Sequence, residues 1–157
     1  MSHEIRTVKR EIRILGIDAC CDDTIVGSIV RGGLYLDGII DFHEIDDGKF
    51  AEKICESRYY PELRVVMLHD PKGRLDARDL WKATRLPVIE ITKTRSRINE
   101  DYMRFERKNK IIYASSTLEP EMTRQIIRLS WTIDDLPEPV RVAHLLVNSI
   151  SSKTFSR

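Results

Sequence analysis

The hydrophobic positions of this chain cluster in short runs at its start and follow a helical period further on. From Glu11 to Ile40 they fall into three short, β-branched runs. The first, Ile12 to Ile17, ends on Asp18. The second, Thr24 to Val30, stops at Arg31-Gly32-Gly33. The third, Leu34 to Ile40, can continue through Asp41-Phe42-His43-Glu44-Ile45 to a turn at Asp46-Asp47-Gly48. Such short connections predict an antiparallel meander. The spacing then changes. Phe50 with Ile54 and Ala51 with Cys55 are i,i+4 pairs, which predicts a helix over Lys49 to Ser57, ended by Tyr59-Tyr60-Pro61.

Arg64 to Leu68 is a short apolar strand closed by His69-Asp70-Pro71-Lys72-Gly73. Coming after a helix, it is expected beside the first strand and parallel to it, through a right-handed crossover. Ala77, Leu80, Trp81 and Thr84 predict a helix over Asp76 to Arg85, with Asp76 as N-cap. Pro87 to Thr92 is a second parallel strand. Ile98, Tyr102 and Phe105 share one helical face, so a helix is expected over Ile98 to Arg107, while Ile111-Ile112-Tyr113 fits strand or loop. Pro120 to Leu129 is helical, with Pro120 in the first turn and Met122, Ile126 and Leu129 inward. After the break at Asp134 to Pro139, a last helix over Pro139 to Ile150 buries Val142, Leu146 and Ile150, and Ser151 to Arg157 is expected to be loose. The fold class is α/β. The β-β-β-α-β-α-β order puts a three-strand antiparallel meander beside parallel strands in one mixed sheet flanked by helices.

The 157 residues read as one domain, 1–157, large enough for a proper core. A formal net charge of +1 excludes a uniformly basic nucleic-acid binder, so any such binding must use a local patch. No apolar run approaches a membrane span and the N-terminus lacks an apolar leader region, so no membrane association is expected and the cytoplasm is the expected location. Three cysteines, Cys20, Cys21 and Cys55, make no disulfide framework. Cys20 and Cys21, beside Asp22-Asp23, read as small turn residues rather than as a metal or redox pair.

Asp18 and Asp70 each follow the carboxyl end of a strand, and those strands are expected to be neighbours. In open α/β sheets that edge binds ligands. Two carboxylates placed together need a cation or a shared proton between them. Hard oxygen donors of this kind point to Mg²⁺ or Mn²⁺. The alternative for each aspartate is a turn cap. Lys72, Arg74, Arg78, Lys93, Arg95 and Arg97 fall near the same edge and are candidates for holding phosphates, or else a solvated surface. His144, between Ala143 and Leu145, reads as a partly buried structural histidine rather than a base.

These residues carry a resemblance. Glu11 to Asp18, with Val30-Arg31-Gly32-Gly33 and Leu36-Asp37-Gly38, resembles an uncharacterised archaeal family, domain-of-unknown-function family ninety-nine. Arg64 to Asp70 resembles that family's central strand, and Leu136 to His144 its entry to the C-terminal helix. That family resembles endonuclease V, a ribonuclease-H-like nuclease that cuts DNA or RNA at deaminated bases with a divalent metal. His69-Asp70-Pro71-Lys72-Gly73 is similar to the nuclease's Asp-Gly-His-Gly turn, and Leu86 to Lys93 to its Leu-Pro-Thr-Ile-Gly-Val-Ala-Lys strand. The resemblance implies a ribonuclease-H-like fold. It implies metal ligands at Asp18 and Asp70, and a phosphate-stabilising lysine at Lys93.

The sequence departs from that pattern in several places: Lys49 stands for a second acid of the turn after the third strand, and the nuclease's Pro-Tyr-Ile-Pro wedge has only a loose echo in Tyr59-Tyr60-Pro61. The third acid has no clean counterpart: Asp46 is the first substitute, with Asp47 and Glu52 as alternatives. The archaeal family reads Leu-Asp-Gly where this chain has Leu68-His69-Asp70, which displaces the aspartate by one position. The expected function is that of a divalent-metal-dependent nuclease with Asp18, Asp70, Asp46 and Lys93 in its site, acting on DNA or RNA. The alternatives are a catalytically inactive nucleic-acid-binding or protein-interaction module, and a structural subunit.

Overall fold

The computed structural model describes residues 5–21, 24–42, 47–94 and 99–155. Its chain forms β1 (Arg13–Asp18), β2 (Ile25–Arg31), β3 (Tyr35–Phe42), α1 (Asp47–Glu56), β4 (Val65–His69), α2 (Ala77–Thr84), β5 (Val88–Thr92), β6 (Met103–Arg107), β7 (Lys110–Ser116), α3 (Pro120–Ser130) and α4 (Glu138–Phe155). The strands make one seven-stranded mixed sheet in the order β3-β2-β1-β4-β5-β7-β6. β1, β2 and β3 pair antiparallel; β4 joins β1 in parallel and β5 joins β4 in parallel. β7 and β6 then close the far edge antiparallel.

The pleat of β1 divides the core between two faces. Leu15 and Ile17 pack with Phe50 and Ile54 of α1 and Leu80 of α2. Ile14, on the opposite face, packs with Ile126 and Ile127 of α3 and Val140 of α4. β4 alternates in the same way: Val66 and Leu68 go to the α1/α2 face, Val65 and Met67 to the α3/α4 face. Each fully buried aliphatic side chain contributes about 2 kcal/mol of burial free energy. By this alternation Gly16 and Asp18 of β1 face α4, and so does His69 of β4.

Three expectations are corrected. Met103 to Arg107 is a strand and not part of a helix; Ile98 lies outside the described residues. Half-buried Met103, Phe105 and Arg107 alternate with exposed Arg104 and Glu106, and Lys108 and Asn109 both have positive φ, 47° and 66°. That is the two-residue turn that matches strand twist, so it joins β6 to β7 as a hairpin. The inward stripe of α4 is Val140, Ala143 and Val147, not Val142, Leu146 and Ile150; Ile150 is exposed. Ser151 to Phe155, expected to be loose, continue α4.

Candidate functional site

β1 and β4 are in register at their carboxyl ends, with Asp18 opposite His69. Parallel partners in register present their side chains on the same face, so the buried Asp18 carboxylate meets the His69 ring. Asp18 Oδ2 lies 2.7 Å from His69 Nδ1. Asp70, one residue further, is turned away from this pair by the strand's alternation. Its Oδ1 accepts the Arg74 N–H at 3.0 Å and its Oδ2 the Leu75 N–H at 2.8 Å. Asp70 thus organises the loop leading to α2.

The third member comes from α4. A Cβ placed on Gly16 would lie 2.1 Å from the Pro139 carbonyl oxygen, so the first turn of α4 sits directly on the β1 backbone. Ser28 of β2 fixes that seat by donating its hydroxyl to the same carbonyl at 2.7 Å. Five residues of helix advance about 7.5 Å, and two residues of strand about 6.6 Å. The helix therefore carries His144 over Asp18 as the strand rises from Gly16. His144 Nδ1 lies 2.9 Å from Asp18 Oδ2, the oxygen that His69 also meets. The two imidazoles stand edge to face, 5.7 Å between centroids.

Among the described residues, the donor atoms of Asp18, His69 and His144 all lie within 4.8 Å of one another. Asp18 Oδ1 accepts the Cys20 N–H at 3.0 Å. Asn148 lies one helical turn beyond His144 and donates from Nδ2 to His144 Nε2 at 3.1 Å. The Cys20 thiol faces Asn148 Oδ1 at 3.9 Å. This arrangement selects the His144 tautomer with the proton on Nδ1, donated to Asp18, and a lone pair on Nε2.

Burial alone would raise the Asp18 carboxyl. The His69 hydrogen bond, and after it those from Cys20, outweigh burial and hold it below the usual carboxylate range. Burial, reinforced by the neighbouring Asp18 carboxylate, pushes the Cys20 thiol well up, so it stays protonated. Because the Asp18 carboxyl is depressed in the fold, its ionised form adds stability above the unfolded value near 3.8. That stability is lost as the pH falls through the lower folded value. Urea midpoints measured from neutral pH down to about 3 are expected to fall more steeply for the native chain than for Asp18→Asn.

The other expected site residues lie elsewhere. Lys93 is exposed and pairs with Asp135 at 2.7 Å, and this bond holds the Asp135 carboxyl low despite partial burial. Arg74 ties the stretch after β1 to the loop before α2, donating to the carbonyls of Ala19 and Cys21. Lys72, Arg78 and Glu52 are exposed. Asp46, Arg95 and Arg97 lie outside the described residues, as does the side chain of Asp47. The sequence reading did not place His69 and His144 at the site. The in-register ends of the first and fourth strands were the available signal for His69. The small residues of α4 were the signal for His144.

No family model matches the chain. A UPF0215 protein of Methanosarcina mazei is 32% identical over 92% of this chain and 93% of the relative. Another, from Methanothermobacter thermautotrophicus, is 31% identical over 96% of this chain and 93% of its own length. The chain belongs to the UPF0215 family. These relatives are uncharacterised archaeal proteins, and at that level the expected kinship holds. A solved protein of unknown function from Archaeoglobus fulgidus superposes with a TM-score of 0.68 at 22% identity, over 88% of this chain and 98% of that one. The Marinitoga piezophila Argonaute, solved with 5′ OH guide RNA and target DNA, superposes with a TM-score of 0.61 at 13% identity. That match covers 88% of this chain and 29% of the Argonaute chain. At such identities the likeness is one of fold. In this UPF0215 chain no helix among the described residues is long and apolar enough to cross a membrane.

Proposed function

We propose that this UPF0215 protein acts on the phosphodiester backbone of DNA or RNA at the carboxyl edge of β1 and β4. On this reading the fold is the ribonuclease-H-like one, related to endonuclease V. The observation that carries the proposal is the buried, ionised Asp18 with two imidazoles converging on one of its oxygens. In an α/β sheet that edge is where ligands bind. The Argonaute whose fold this chain resembles was solved with RNA and DNA bound.

The residues do not fit the Mg²⁺ centre that such a fold implies. A Mg²⁺ site asks for carboxylate oxygens in octahedral array. Here each Asp70 oxygen already accepts a backbone N–H, and the groups around Asp18 are imidazoles. The chemistry that the chain's own side chains supply is acid–base. Asp18 holds the Nδ1 proton of His144 and orients the ring; Nε2, which accepts from Asn148 Nδ2, takes a proton from an attacking water only once that amide moves aside. His144 is half-buried and lines a cavity of about 210 Å³ with Lys110, Asp134, Asp135, Leu136, Arg141 and Leu145. Lys110 brings positive charge there for a phosphate, while Arg141 is held bidentately by Glu138 and pairs with Asp134. The engagement of Asp70 in its own loop favours a second reading: a nucleic-acid-binding module that does not cleave.

Labelled DNA and RNA strands, with and without inosine, separate these readings when incubated with Mg²⁺, Mn²⁺ or Zn²⁺ at low salt. A nuclease cleaves, and Asp18→Asn loses cleavage while still binding. A binding module binds in both forms without cutting, with affinity falling as salt rises. No binding and no cleavage by the native chain would overturn both.

A further inference from the structure

We propose that Asp18, His69 and His144 hold one borderline divalent transition-metal ion, of the Zn²⁺ or Fe²⁺ class, instead of the Mg²⁺ of an all-carboxylate centre. The donor set is one carboxylate and two imidazoles, contributed by β1, β4 and α4. Imidazole suits zinc and iron, and a two-histidine, one-carboxylate set with open positions is a recurring arrangement for both. Nδ1 of His69 and Nδ1 of His144 lie 2.7 and 2.9 Å from the same Asp18 oxygen. A tetrahedral ion with bonds of about 2.0 to 2.1 Å spaces its donors by about 3.3 Å. Three side chains moving apart by about half an ångström therefore exchange two hydrogen bonds for three metal bonds.

Two further observations point to a cation. The Asp18 carboxylate is fully buried, yet among the described residues no lysine or arginine pairs with it. Buried charges are ordinarily paired or coordinate metals, and the two rings that meet this one are both of a metal-binding type. The surroundings also contain the outer partner that a metal-bound histidine needs. Asn148 sits on His144 Nε2. When Nδ1 binds an ion, the ring proton moves to Nε2 and the Asn148 amide turns to present its oxygen. The backbone that aims the three donors is fixed by the β1–β4 register and by the close seat of α4 on Gly16.

The test contains no nucleic acid, so it stands or falls separately from the reading above. Chelator-stripped native protein is titrated with Zn²⁺ against a chromophoric competitor, and with Co²⁺ followed by its visible absorption. One equivalent of Zn²⁺ and a tetrahedral-type Co²⁺ band are expected, with Mg²⁺ in excess failing to displace either. His144→Gln, at a half-exposed position, is expected to keep its unfolding midpoint and lose affinity by more than about tenfold; His69→Gln gives the same loss wherever it folds. Undiminished Zn²⁺ binding in a folded His144→Gln, or no Zn²⁺ binding by the native chain, would overturn the proposal.

Discussion

Gly16→Ala is expected to destabilise the protein by about 3 kcal/mol and to separate His144 from Asp18. The added methyl carbon would lie 2.1 Å from the Pro139 oxygen and 2.2 Å from its carbonyl carbon. Both neighbours are backbone, in the first turn of a helix packed on β1 and β2, so no flexible side chain can swing aside. The helix must lift or the strand must buckle, and either movement weakens the Ser28 hydrogen bond to the same carbonyl. Overpacking of a core commonly costs about 1 to 3 kcal/mol, and a backbone clash belongs at the upper end. Denaturant unfolding measures the loss. A change below about 0.5 kcal/mol would show that α4 does not sit on Gly16 as described.

The second large effect separates the two aspartates. Asp18→Ala removes the carboxylate that the His69 and His144 rings share, leaving buried N–H groups without an acceptor. Each such group costs about 1 to 3 kcal/mol, so a loss of about 3 kcal/mol in stability is expected, together with loss of Zn²⁺ binding. Asp70→Ala should cost about 2 kcal/mol, because two backbone amides of the loop before α2 lose their acceptor. It should leave Zn²⁺ affinity unchanged. The expectation that Asp70 is a metal ligand makes the opposite prediction for this variant. Equal loss of Zn²⁺ affinity in both variants would restore Asp70 to the centre.

How far the site was legible follows from the physics of each element. Asp18 could be found because a short apolar, β-branched run ends cleanly on it. The choice between His69 and Asp70 is a question of face, and adjacent strand residues point to opposite faces. The motif drew attention to the aspartate, while the register places the histidine opposite Asp18. The departure at Leu68-His69-Asp70 held the clue, since the residue at position 69 fills the place beside the first-strand carboxylate. His144 was harder to see. Larger Val142, Leu146 and Ile150 suggested the inward stripe, but a helix lying on a strand glycine turns small residues inward, so Val140, Ala143 and Val147 face the sheet. The β6–β7 hairpin was missed because Lys108-Asn109 carries no glycine to advertise its positive φ. The antiparallel meander and the parallel place of β4 beside β1 needed only apolar runs and connection length.

Asp18, His69 and His144 are proposed to form one metal centre where β1, β4 and α4 meet. Anomalous scattering at the zinc edge, from crystals of the native chain grown with one equivalent of Zn²⁺, tests it most directly. One strong peak is expected about 2.0 to 2.2 Å from Asp18 Oδ2 and from Nδ1 of both histidines. A peak held by Asp70 and other carboxylates, with His69 and His144 still bonded to Asp18, would contradict it.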